Sequence, residues 1–95
     1  MTCDIDASAQ TLQLAGVLNL PAAAPLAKTL TERRGADVVI DASQVQHLGA
    51  QCLQVLLSAA STWSAEGASL RIANRSAGFV MGLELMGIPA TTFAE

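Results

Sequence analysis

Asp37-Val-Val-Ile-Asp-Ala-Ser-Gln-Val-Gln-His-Leu-Gly-Ala-Gln-Cys-Leu-Gln-Val-Leu-Leu57 is the stretch that decides the fold. Its opening, within Ala36 to Asp41, holds the β-branched run Val38 to Ile40, the composition of a central strand covered on both faces. Its end, continued to Ala65, sets Leu53, Leu56, Leu57 and Ala60 at i, i+3, i+4 and i+7, so Ala50 to Ala65 reads as a helix that Gly67 stops. Between the two lies Ser43 to Gly49, a loop at the carboxyl end of the strand, where open α/β sheets hold their ligand sites.

Outward from this unit the same alternation continues. Upstream, Asp4 to Ala7 and Thr11 to Val17 read as two strands of a hairpin turning at Ser8 to Gln10, because Thr11-Leu-Gln-Leu-Ala-Gly-Val17 alternates at period two. Asn19 as cap, Pro21 in the first turn and Gly35 as terminator frame a helix over Leu20 to Arg34. Its face is Ala23, Leu26, Ala27 and Leu30, with Lys28, Glu32 and Arg33 in water. Downstream, Leu70 to Ala73 is a strand, Ser76 caps a helix running to about Met86, Gly87 follows it, and Thr91 to Phe93 reads as a short last strand. The expected fold class is α/β: one domain over residues 1–95, with an N-terminal hairpin and a small, mostly parallel sheet packed by about three to four helices.

Composition excludes several functions. The 95 residues carry five Lys plus Arg against eight Asp plus Glu, a net charge of -3, which does not make the basic stripe a phosphate backbone needs. Trp63, Phe79 and Phe93 are the only aromatics, too few for a base-stacking platform. No apolar run reaches membrane-spanning length, and the acidic start Met1-Thr-Cys-Asp-Ile-Asp6 is unlike a signal peptide, so a cytoplasmic location is expected. For this length, area scaling buries roughly 64% of the unfolded surface, enough for a modest core without staples. Cys3 and Cys52 have neither disulfide-scaffold nor zinc spacing and read as thiols.

The most informative feature is an absence. Ala42 to Ala65 contains no Asp, Glu, Lys or Arg, although half of its helix must face outward. Gln51, Gln54, Ser58 and Ser61 recur at three- to four-residue spacing opposite the leucine face. Interface centres are depleted of charge, because desolvating an ion on docking costs more than desolvating an amide or hydroxyl. Ser43, His47, Gly49, Ala50, Gln51, Gln54, Ser58 and Ser61 are therefore the expected partner-binding residues, with Met81 and Leu85 of the third helix as an apolar margin. Ser43, Ser58 and Ser61 are also the hydroxyls open to phosphorylation.

Other chemistries find less support. Asp41, Ser43 and His47 are triad residue types, but no strained elbow surrounds the serine. His47 and Cys52 are two ligands where a metal site needs more, and no cofactor motif is present: one glycine before the second helix is a poor phosphate cradle. Cys52 at a helix start is either a dipole-lowered thiolate or a core thiol. Gly78-Phe-Val-Met-Gly82 has small-xxx-small spacing in a helix too short to cross a bilayer, which points to close seating on a neighbour.

The order of elements, the block from Asp37 to Leu57, Leu70-Arg-Ile-Ala-Asn-Arg-Ser76 and Leu83-Glu-Leu-Met-Gly-Ile88 resemble the STAS domain, the fold of anti-sigma factor antagonists. The wording of Gly49 to Leu57 is also similar to small stand-alone STAS proteins of bacterial chemotaxis clusters. The resemblance implies a non-enzymatic signalling module that docks on a histidine kinase or an anti-sigma-factor kinase, with chemotaxis or sigma-factor regulation as its setting. The alternative it allows is a STAS subunit of a lipid-transport ATPase complex, and a small hydrolase is the distant third. Phospho-switched members carry an Asp-Ser-Ser/Thr-Gly stretch at the start of the second helix. Here Gly49, Ala50, Gln51 and Cys52 stand at those positions, so Gln51 replaces the switch hydroxyl. An amide accepts no phosphoryl group, so the switch at that position is expected to be missing.

Overall fold

The structure, a computed structural model, describes residues 9–93. Strand β1 (Ala9–Gln13) is followed by β2 (Val17–Leu18), α1 (Leu20–Glu32), β3 (Asp37–Asp41), β4 (His47–Leu48), α2 (Ala50–Ala65), β5 (Leu70–Ala73), α3 (Ala77–Leu85) and a 3-10 turn (Ala90–Thr92). This is the expected α/β arrangement, and every strand pair among the described residues is parallel. The first arm of the expected hairpin, Asp4 to Ala7, and Cys3 lie outside the described residues.

The sheet order is β1-β3-β5, with Thr11, Val39 and Arg71 in line across it. Both crossovers, β1 to β3 through α1 and β3 to β5 through α2, step the same way, so right-handed connection puts both helices on one face. Val38, Ile40, Leu70 and Ile72 point to that face and are buried; Val39 between them is half-buried and Arg71 exposed. The β-branched run is thus fully covered on one face rather than both, because Val39 shares its row with the polar Thr11 and Arg71.

The stretch Thr11 to Val17 is not one strand. The chain leaves the ladder after Gln13 and rejoins it at Val17, and its partner leaves after Asp41 and rejoins at His47. Three residues, 14–16, therefore lie opposite five, 42–46, and the surplus on the β3 side swells out as the loop. The segment Ser43 to Gly49 accordingly contains a strand, β4, whose two residues are too few to show a period. Ala9 and Gln10, expected in a turn, begin β1. Thr91 to Phe93 is not a strand either: Pro89 fixes an extended φ of -62° just before the 3-10 turn, and Phe93 folds into the core at 2% exposure.

Helix boundaries follow local chemistry. Helix α1 carries proline in its first turn and stops at Glu32, two residues before the expected Arg34. Helix α2 ends before Gly67, whose φ of +74° lies in the left-handed region that favours glycine. Ser76 caps α3, its hydroxyl accepting from the Phe79 amide at 3.1 Å and donating to the Val45 carbonyl, which joins the helix to the swollen loop. One core, including Leu30, Ile40, Leu56, Trp63, Ile72 and Phe79, fills the space between sheet and helices. Each such side chain contributes about 1.5–3 kcal/mol relative to exposure. Trp63 is also fixed by its indole N–H, which donates to the Ala36 carbonyl at 2.8 Å. No helix among the described residues is long and apolar enough to cross a membrane.

Candidate functional site

The starts of α1 and α2 are joined before either helix begins. The parallel pair β2-β4 sets Leu18 beside Leu48, the Gly49 amide donates to the Leu18 carbonyl at 2.8 Å, and the Cys52 thiol donates to the Asn19 carbonyl at 3.3 Å. Close approach decides the residue at 49: a β-carbon there would lie 2.8 Å from the Leu18 oxygen. Gly49 is thus a half-buried spacer beneath the helix start, where no side chain fits. At the other end Arg34, just past α1, pairs with Glu66, just past α2. Two helices tied at both ends run side by side in the same direction.

Between them lies an open groove of about 340 Å³, lined by Ala27, Leu30 and Thr31 from the first helix, by Arg34 just past it, and by Gln51, Gln54, Val55, Ser58, Ala59, Thr62 and Trp63 from the second. Three of the four polar positions expected on the α2 face, Gln51, Gln54 and Ser58, form one wall of it. Ser61 is exposed on α2 but outside the groove, and Thr62 takes the place that the spacing gave to Ser61. The contribution of α1 was missed by sequence reasoning. Its signal is the spacing of Ala27, Leu30, Thr31 and Arg34 at i, i+3, i+4 and i+7, which continues the apolar face to a polar edge.

The other expected contacts lie elsewhere. Ala50 is exposed at the start of α2, and Ser43 and His47 are exposed on the swollen loop and on β4. Met81 and Leu85 are 57% and 81% exposed on α3, one helical turn apart, and neither lines the groove. Helix α3 sits close on β4 and the loop: a β-carbon on Gly78 would meet the Val45 and Gln46 carbonyl oxygens at 2.7 Å, and one on Gly82 would meet Leu48 at 2.8 Å. The small-xxx-small spacing is thereby used up inside the molecule.

Electrostatics separate the chemical alternatives. The Asp41 carboxylate accepts from the Ser43 amide at 2.8 Å, and that bond, with help from the Ser43 hydroxyl and Asn74, holds its pKa below the usual carboxylate range. The groups that hold Asp41 are therefore a turn serine and an asparagine, the geometry of an Asx turn. Cys52 is fully buried, and burial pushes its thiol pKa up, which favours the core thiol over the thiolate. Among the described residues no three His, Cys, Asp or Glu side chains gather as a metal group.

What remains at the surface of α2 is hydrogen-bonding capacity without charge. A family model described as Mlab, STAS domain matches residues 1–90. Compared with the curated proteins and with the solved structures, the chain has no match.

Proposed function

The chain belongs to the STAS domain family, and from that premise we propose that it is a cytoplasmic docking module for a histidine kinase or an anti-sigma-factor kinase, in chemotaxis or sigma-factor regulation. STAS domains are generally non-enzymatic interaction modules, and the coarse reading of this chain as a regulatory or interaction module follows from its family. The observation that carries the finer reading is the exposed face of α2. Gln51, Gln54, Ser58 and Ser61 all stand in solvent, in a segment from residue 42 to residue 65 without one ionic group. Such a face loses little on desolvation and offers amide and hydroxyl partners across an interface.

Ser43, His47 and Ala50 border this face at the start of α2, and Met81 and Leu85 supply an apolar flank on α3. Gln51 stands where switched relatives carry the phosphorylated hydroxyl, so docking here proceeds without that modification. The test is binding of purified candidate kinases to the Gln51→Glu and Ser58→Arg variants. Both substitutions are at exposed positions and leave the core untouched, and Glu in the first turn of a helix favours the helix. Weakening by about tenfold or more in each supports the reading; unchanged binding of both folded variants removes the face from it. Co-purification with the ATPase of a lipid-transport complex in place of a kinase would transfer the same face to that second partner class.

A further inference from the structure

Strand β5 lies at an edge of its sheet: among the described residues its ladder neighbour is β3. The Val38 amide donates to the Ser69 carbonyl at 2.9 Å and the Ala42 amide to the Ala73 carbonyl at 3.0 Å. Residues 69, 71 and 73 therefore turn their backbone groups toward β3, and Leu70 and Ile72 turn theirs outward. An outward row of this kind is a template for one more strand. Yet Ile72 is 0% exposed, backbone included, so the edge is covered.

Arg75 and the segment that follows α3 lie against it. Gly87, with a φ of +72°, turns the chain, the Ile88 amide donates to the Leu83 carbonyl at 2.9 Å, and the chain returns through Pro89 and the 3-10 turn to Phe93 without a charged residue. The Phe93 side chain is seated in the core. Its carbonyl accepts from the Arg75 guanidinium at 2.6 Å, and the same guanidinium donates through Nε to the Ile72 carbonyl at 3.1 Å. One side chain thus ties the end of the segment to the very acceptor that an added strand would need.

Without that cover the edge suits its own copy. In an antiparallel pair centred on Ile72, the two Ile72 residues exchange both backbone hydrogen bonds, and Arg71 stands opposite Ala73 rather than opposite its twin, so like charges do not meet.

We propose that Gly87 to Phe93 is an autoinhibitory strap, held by the Phe93 ring in the core and by the Arg75 clamp, that keeps the β5 edge from pairing with β5 of a second copy of this chain. The α2 face takes no part in it, so docking and self-pairing are separate properties.

The test uses the full chain with Arg75→Gln and, separately, Phe93→Ala, followed by sedimentation over about a hundredfold range of concentration. Circular dichroism reports the fold, and hydrogen exchange reports single amides. The expected result is a wild-type chain that stays monomeric, while each folded variant rises with concentration toward twice the monomer mass and its outward Leu70 amide exchanges about tenfold more slowly or less. A folded variant that stays monomeric overturns the strap. So does a dimer whose Leu70 amide is not slowed, because the copies then meet elsewhere, and so does a wild-type chain that is itself dimeric. Phe93→Ala cuts a buried ring from the core; where it fails to fold, Arg75→Gln, which leaves the core side chains in place, decides alone. If neither variant folds, the segment is part of the core rather than a strap, and the proposal falls.

Discussion

Adding one methyl group at Gly78 is a severe test of how the swollen loop is held. In Gly78→Ala the new β-carbon would lie 2.7 Å from the carbonyl oxygens of Val45 and Gln46 and 2.9 Å from the Gln46 carbonyl carbon. All three are backbone atoms, so no rotamer change relieves the contact. Neither can the loop simply back away, because the Val45 carbonyl accepts from Ser76 and the Gln46 amide donates to the Gly16 carbonyl at 2.7 Å. Overpacking of this kind costs about 1–3 kcal/mol, and the better helix propensity of alanine returns at most about 1 kcal/mol. With three backbone contacts under 3.0 Å the upper part of that range, about 2–3 kcal/mol, applies, so the net loss is about 1–2 kcal/mol, a fall in Tm of roughly 4–15 °C for a domain of this size. Thermal unfolding followed by circular dichroism measures it, and Ala77→Gly, at the exposed neighbouring position, gives the propensity contribution separately. A Gly78→Ala protein melting at or above the wild-type temperature would falsify the reasoning.

Three further outcomes follow from the same contacts. Ser76→Ala removes both the α3 cap and the bond to Val45, and should destabilise by about 1–2 kcal/mol in denaturant titration; a change within experimental error would show that the cap is redundant. Asp41 has a folded pKa below its unfolded value, so its contribution is present above the ordinary carboxylate range and is lost as pH falls through the depressed folded pKa. Asp41→Asn should therefore flatten the acid limb of stability against pH, and NMR titration should place the Asp41 midpoint below the ordinary carboxylate range. The buried Cys52 thiol should react with a thiol reagent only through opening of the fold, at a rate that rises with denaturant; reaction at a free-thiol rate in native buffer would contradict its placement.

Elements with a repeated signal were legible in the sequence, and those set by tertiary contact were not. Helix α2 lies at Ala50–Ala65 and strand β5 at Leu70–Ala73 where patterning put them, because the leucine spacing, Gly67 and the β-branched residues all act locally. Strands β2 and β4 have two residues each, below any detectable period, and owe their existence to pairing with one another. The Thr91–Phe93 segment has strand-forming residue types, yet burial of Phe93 and the neighbouring proline make it a turn. Of the candidate surface, the α2 face could be seen because uncharged residues recur at helical spacing. The groove could not, since it exists only where Thr31 and Arg34 come alongside Gln54 and Ser58. Gly49 shows the same limit from the other side: its place at the end of the loop was legible, and only the approach of the Leu18 carbonyl reveals why no side chain is present.

The two-residue ladder beneath the helix starts also has a mechanical consequence. Leu18 and Gly49 form a yoke, so a load applied to the beginning of α2 must be shared by the beginning of α1 within a single bond length. A partner seated on Gln51 would then be felt at Asn19, more than thirty residues away in sequence, as slower exchange of the backbone amides on both sides of the yoke.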